Sequence, residues 1–166
     1  MRTIVITGAS DGIGAAASRQ LVARGHQVVL VGRSPEKTRA VANEVRMPHH
    51  LADFSDLAQV RRLADELLAA YPRIDVLANN AGGIFGPRKL TTDGFEQTFQ
   101  VNHLGPFLLT NLLRERLVES EASIIQTASA AARIFSRFDI ADLNGARRYS
   151  GRVAYGNAKL ANILFT

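Results

Sequence analysis

The chain reads as an α/β protein built on a doubly wound parallel sheet with helices on both faces, and three observations predict it. Short apolar runs alternate with segments of helical period along the whole length, the mark of successive strand-helix-strand units. The first run, Thr3-Ile4-Val5-Ile6, breaks into Thr7-Gly8-Ala9-Ser10-Asp11-Gly12-Ile13-Gly14 and then enters a helix. The fourth, Ile74-Asp75-Val76-Leu77-Ala78, ends in Asn79-Asn80-Ala81-Gly82-Gly83, where a sheet whose strand order reverses opens a crevice for ligands. The expected strand order is 3-2-1-4-5, within one domain over residues 1–166.

A buried strand that turns through glycines into a helix aims free backbone N–H groups and the positive end of the helix dipole at one point, so an anion belongs there. Gly8 permits the tight turn, Gly12 lets a pyrophosphate approach the backbone, and Gly14 lets helix and strand pack closely. The spacing G-x-x-x-G-x-G departs from the general dinucleotide fingerprint G-x-G-x-x-G, which leaves a ligand-free glycine turn as the alternative.

Ala16, Ala17, Leu21 and Val22 carry the first helix to Gly25, and Gln27–Val31 is the second strand. A right-handed crossover of this length places that strand beside the first, with both carboxyl ends on one side. Gly32-Arg33-Ser34 follows, where an acidic residue would hold the ribose hydroxyls of NAD. An arginine there favours the 2′-phosphate of NADP, and Asp11 is the opposing signal. Ser34 and Pro35 open a helix to about Arg46. Met47–Ala52 is a short third strand, with Asp53 at its end placed to bond an adenine amino group. Ser55-Asp56 starts a helix whose stripe of Leu57, Val60, Leu63, Ala64, Leu67 and Leu68 is plain core.

Asn79 is expected to knit neighbouring strand ends together, with a simple Asn-rich turn as the alternative. One long helix is expected from Gly94 to about Val118, with more apolar surface than one sheet face covers, so a subunit interface is expected on it. Within it Asn102 is placed to bulge the helix and hold a water, while His103 reads as a satisfied core or interface group; no partner at metal spacing accompanies it. Ser123–Thr127 is the fifth strand, Ser129 stands just beyond it, and residues 133–150 form a long loop with the apolar and basic mixture of a substrate lid. In the last helix Tyr155 and Lys159 are four residues apart, on one face.

The 166 residues are 46% hydrophobic, enough for a chain that buries roughly 70% of its unfolded surface on folding. No cysteine is present, which excludes disulfides and thiolate metal sites and makes a cytoplasmic location the expectation. No apolar run reaches the roughly 18 residues of a membrane span. The net charge of +5, from 20 Lys and Arg against 15 Asp and Glu, comes without a basic helix face or an aromatic RNA-binding signature, so nucleic acid is not expected as a partner.

In combination, Thr7-Gly8-x-x-x-Gly12-x-Gly14, Asn79-Asn80-Ala81-Gly82, Asn102, Ser129 and Tyr155-x-x-x-Lys159 resemble the short-chain dehydrogenase/reductase family. Asn102-His103-Leu104-Gly105, Asp142-Leu143-Asn144-Gly145 and Lys159-Leu160-Ala161-Asn162 are most similar to its retinol-dehydrogenase-like branch. The resemblance implies a Rossmann-type fold and an NAD(P)-dependent oxidoreductase acting on a small alcohol or carbonyl compound, with NADP(H) favoured over NAD(H). It implies a tetrad in which Ser129 orients the substrate oxygen, Tyr155 passes the proton, Lys159 assists the tyrosine and bonds the nicotinamide ribose, and Asn102 holds a relay water. Cofactor contacts are implied for Gly8, Ser10, Asp11, Gly12, Ile13, Gly14, Arg33, Asp53, Phe54, Asn79, Ala81, Gly82, Tyr155 and Lys159. Members of the family continue past this point and pair through helices matching residues 97–118 and 152–166. An incomplete carboxyl-terminal part, an exposed fifth strand and a homo-oligomer of the intact protein are therefore expected. The alternative reading is a dinucleotide-binding sensor or interaction module without catalysis.

Overall fold

The computed structural model describes all 166 residues. Five parallel strands, β1 (Thr3–Thr7), β2 (Gln27–Gly32), β3 (His49–Leu51), β4 (Val76–Asn79) and β5 (Ser123–Gln126), stand in the order β3-β2-β1-β4-β5. This is the order expected from the reversal after the first strand.

Alternation along the strands divides the core in two. Ile4, Ile6, Val28, Leu30 and Val76 face α1 (Gly12–Ala23) and α2 (Pro35–Val45), where Ala15 and Val41 meet them. Val5, Val29, Val31 and Leu77 face the opposite way, onto Val60, Leu63 and Leu67 of α3 (Leu57–Ala70) and Leu109 of α5 (Gly105–Leu112). A parallel sheet covered on both faces has no polar side to spare, and the near-continuous apolar runs of β1 and β2 follow from that.

Helix starts fall where capping chemistry puts them. Ser34 accepts the Lys37 N–H before Pro35, and Asp56 accepts the Ala58 N–H, each pairing an N–H that the first turn leaves without an internal partner. On α1 the buried face is Gly14, Ala15 and Ser18, whereas Ala16 is exposed. Close helix-strand approach selects small residues here, which a hydrophobic pattern alone does not detect.

The long helix expected over 94–118 is four pieces. Glu96 caps a short turn, α4 (Gln97–Phe99), a π-turn spans Gln100–Leu104, and α5 is followed after Leu113 by α6 (Arg114–Glu119). The π-turn sits at Asn102, as the bulge expected there, and Pro106 just beyond it has no N–H to complete an α-helical ladder. The loop 133–150 also contains local structure, with α7 (Ala131–Ile134) entering it and a 3₁₀ turn at Ile140–Asp142.

Helix α8 (Gly151–Leu164) packs on α4 and the π-turn through Phe99, Ala158 and Ala161. The two segments read from the sequence as an intermolecular surface thus cover part of each other within the chain. Phe107, Val118, Ile163 and Leu164 remain exposed, as does Ile125 on the edge strand β5, at 53%.

Gly156 brings α8 onto α7. A Cβ there would lie 2.8 Å from the Ala131 carbonyl oxygen and 2.8 Å from the Ser136 nitrogen, both backbone atoms. Gly156→Ala is therefore expected to lower stability by about 1–3 kcal/mol, read as a fall in the urea midpoint without a change in m value; an unchanged midpoint would show that the two helices separate freely.

Candidate functional site

The carboxyl ends of the strands open into a cleft of about 630 Å³. Its floor depends on how β1 ends. Thr7 Oγ1 accepts the N–H groups of Asn80 and Ala81, each at 3.0 Å, and donates to the Ala78 carbonyl at 3.3 Å. Asn80 Nδ2 donates to the Thr7 carbonyl at 2.9 Å and to that of Gly8 at 3.4 Å. Asn80 is therefore the residue that knits the strand ends.

Asn79, given that task from the sequence, is 2% exposed and lies outside the cleft wall. Its amide donates to Thr110 Oγ1 on α5 at 2.9 Å. Successive strand residues point to opposite faces, so one member of the Asn-Asn pair had to be turned away. Neither residue's composition says which.

The glycine turn has the geometry of an anion cradle. Gly8 is at φ +67°, and a Cβ on Gly14 would lie 2.2 Å from the Gly8 carbonyl oxygen, so only glycine lets the helix meet the strand so closely. The backbone N–H groups of Ser10, Asp11, Ile13 and Gly14 donate to nothing in the chain, and they stand at the positive end of α1. A Cβ on Gly12 would meet nothing within 4 Å, and Ile13 is 77% exposed beside it. Unpaired donors, open approach and helix polarity together fit the pyrophosphate of a dinucleotide.

At one end of the cleft stand Arg33, Asp53 and Phe54. One oxygen of Asp53 accepts from the Ser55 N–H and hydroxyl. Lys37, which sequence reasoning missed, joins them. Its ammonium lies 2.7 Å from Asp11 and draws that carboxyl below the ordinary carboxylate range, while Asp11 also accepts the Gly12 N–H. The negative charge in the turn is thus paired with a cation one helical turn past Ser34, a relation that only the packing of α1 beside α2 reveals.

Ala81 and Gly82 form the other wall with Tyr155 and Lys159. Lys159 is 3% exposed, and its Nζ donates to the Thr127 carbonyl at 2.7 Å and lies 5.6 Å from the centre of the Tyr155 ring. Burial lowers its pKa to about 8. The Tyr155 hydroxyl has no partner within the chain.

Asn102 is fully buried behind that wall. Its Oδ1 accepts the Gly83 N–H at 3.0 Å, and its Nδ2 donates to the carbonyls of Gly83 and Thr98 at 2.8 and 2.7 Å. Ser129 is not in the wall; its hydroxyl accepts the Ala131 N–H at the start of α7. Thr127, Gly83 and Phe85 line the cleft without having been singled out from the sequence, because each is placed by a neighbouring strand end rather than by its own motif. No grouping of His, Cys, Asp or Glu suited to a metal ion is present.

A family model described as short chain dehydrogenase matches residues 2–166. Among curated proteins, DnrU of Streptomyces sp. (strain C5), named for daunorubicin C-13 ketone reduction, is 52% identical over 98% of this chain and 58% of its own length. Retinol dehydrogenase 12 of Mus musculus is 41% identical over 99% of this chain and 54% of its own. The chain thus spans little more than half the length of these relatives. Among solved structures, an uncharacterised protein from Mycobacterium paratuberculosis superposes with a TM-score of 0.88 at 41% identity, covering 100% of this chain and 60% of that one. A short chain dehydrogenase from Shigella flexneri complexed with NADP superposes at 0.78 with 27% identity, covering 99% and 68%.

The buried lysine gives a signed pH dependence. Its folded-state pKa of about 8 lies below the roughly 10.4 of an unfolded-chain lysine. Between those values the unfolded chain holds a proton that the folded chain lacks, so this group makes stability rise with pH there, and below about 8 it adds no slope. Urea unfolding across that range should show an upward component that Lys159→Met lacks; parallel curves for the two proteins would refute a desolvated Lys159.

Proposed function

Because the chain belongs to the short-chain dehydrogenase family, we propose that it is an oxidoreductase that moves a hydride between NADP(H) and the carbonyl or alcohol carbon of a small lipophilic substrate. The observation that carries this reading is one cleft with four unpaired N–H donors at the start of α1 on one side and Tyr155 with a buried Lys159 on the other. The names of the relatives, retinol dehydrogenases and a ketoreductase, support it. The NADP complex of a neighbour agrees with the cofactor.

When bound, the nicotinamide dinucleotide supplies or accepts the hydride. The chain's own residues hold it and manage the proton. In the reductive direction Tyr155, its hydroxyl free of other bonds, gives its proton to the substrate oxygen as the carbon is reduced. The ammonium of Lys159, itself buried, stabilises the resulting phenolate more strongly than a fully solvated charge would. Ser129, just past β5, orients the substrate oxygen once its hydroxyl turns from the Ala131 N–H. The apolar side chains of Ile134, Phe135, Phe138 and Ile140, all exposed on or after α7, suit a lipophilic substrate.

Arg33 and Lys37 are the two cations at the adenosine end of the cleft. With no carboxylate on the loop after β2 to repel a 2′-phosphate, they favour NADP over NAD.

Two outcomes follow. With octanal, benzaldehyde and retinal as carbonyl probes, the chain is expected to oxidise NADPH, and Tyr155→Phe to lose at least about 100-fold in kcat, the scale of general acid catalysis. Binding of NADPH by fluorescence without turnover would leave the non-catalytic module instead, and a fully active Tyr155→Phe would remove the assigned proton donor. Arg33→Ala should narrow the ratio of NADPH to NADH affinity by roughly tenfold, as expected for one charge-assisted phosphate contact; equal affinities in the unsubstituted protein would contradict the cofactor assignment.

A further inference from the structure

Tyr155, Lys159 and Asn162 lie at i, i+4 and i+7 of α8, on one helix face. Asn162 is 2% exposed, and none of the chemistry above uses it. Its Nδ2 donates to the backbone carbonyl of Asn102 at 3.0 Å. Four residues on stands Pro106, which has no N–H to return the α-helical bond.

The rest of Asn162 is equally committed. Because Nδ2 faces a carbonyl, Oδ1 is the acceptor, and it lies 2.9 Å from His103 Nδ1, which must therefore carry the proton. The imidazole is enclosed by Phe99, Phe107 and Phe165, with ring centres 5.3, 5.9 and 6.3 Å away. Burial lowers its pKa, so the ring stays neutral at ordinary pH. From Asn102 the connection runs on to Gly83 through two hydrogen bonds. At the neighbouring Gly82 a Cβ would lie 3.3 Å from Lys159 Nζ, so the wall of the cleft and the buried ammonium are in close register.

We propose that Asn162 is a positioning residue that sets the spacing between the Tyr155-Lys159 face of α8 and the Asn102-Gly83 wall of the cleft, with His103 fixing the orientation of its amide. The side chain bonds the main chain of the π-turn directly, which ties the helix that bears the reacting groups to it. The role rests on the reading of Tyr155 and Lys159 as the reacting pair. The coupling itself is a property of the fold.

The test reads the coupling and the chemistry separately, on the full 166-residue chain. In Asn162→Ala, amide hydrogen exchange at Gly83 is expected to quicken by about tenfold or more while exchange in β1 and β2 stays as in the unsubstituted protein. With the carbonyl probe reduced fastest, kcat should fall roughly 10- to 100-fold, as for reacting groups displaced by an ångström, and the NADPH dissociation constant should stay within about threefold. The pH above which turnover falls, as the proton donor loses its proton, should also move. Leu67→Ala, which opens the core on α3, should lose stability and leave that pH unchanged. If Asn162→Ala does not fold, His103→Leu removes only the Oδ1 partner and should change Gly83 exchange and kcat in the same direction by less. Unchanged exchange at Gly83 in either folded variant would overturn the proposal, as would a kcat loss matched by Leu67→Ala with the same pH profile. Absence of turnover in the unsubstituted chain would end the oxidoreductase reading, and the exchange arm would still decide whether Asn162 couples the helix to the wall.

Discussion

The site depends on the clasp between the ends of β1 and β4. Thr7 uses its hydroxyl fully, donating once and accepting twice, and Asn80 returns its amide to the main chain of Thr7 and Gly8. Net, each such bond contributes on the order of 1 kcal/mol, but a buried donor left unpaired costs more, so the set forms together or not at all. With the two strand ends fixed, the glycine turn has one place to go. Gly14 then meets the Gly8 carbonyl closely enough that no other residue fits. The cradle of free N–H groups is therefore a consequence of strand pairing as much as of glycine content.

The second constraint is the interruption of the helix that covers the other face of the sheet. A continuous α-helix through residues 97–119 would carry Asn102 past the cleft at a fixed pitch. The π-turn adds a residue to one turn and lets the Asn102 side chain reach Gly83 from behind while its carbonyl faces Asn162. Pro106 favours this arrangement by withholding a donor. Irregularity in the helix and order in the cleft wall have the same cause.

Charge is arranged with similar economy. Lys159 is a buried cation whose nearest partner is a carbonyl rather than a carboxylate, so holding its ammonium charged there is costly. At the far end of the cleft the Asp11-Lys37 pair is exposed and contributes little to stability. It neutralises the one acidic side chain in the glycine turn.

The sequence by itself determined the order of the strands, the parallel sheet, the glycine turn and the capped helix starts at Ser34 and Asp56. These are local or periodic features: apolar runs, cap chemistry and crossover handedness are written in consecutive residues. It also brought Tyr155 and Lys159 to one helix face, since a spacing of four fixes that wherever the helix lies. Only the tertiary structure decided that Asn80 rather than Asn79 clasps the strands, because the pleat turns neighbours to opposite faces and pairing with β1 sets which one points in. Only it placed Lys37 against Asp11, and only it matched the Asn102 carbonyl with the amide of Asn162, 60 residues away. Partners that meet across such separations leave no period or spacing to read; they are found where elements pack, and the packing exists only once the chain has folded.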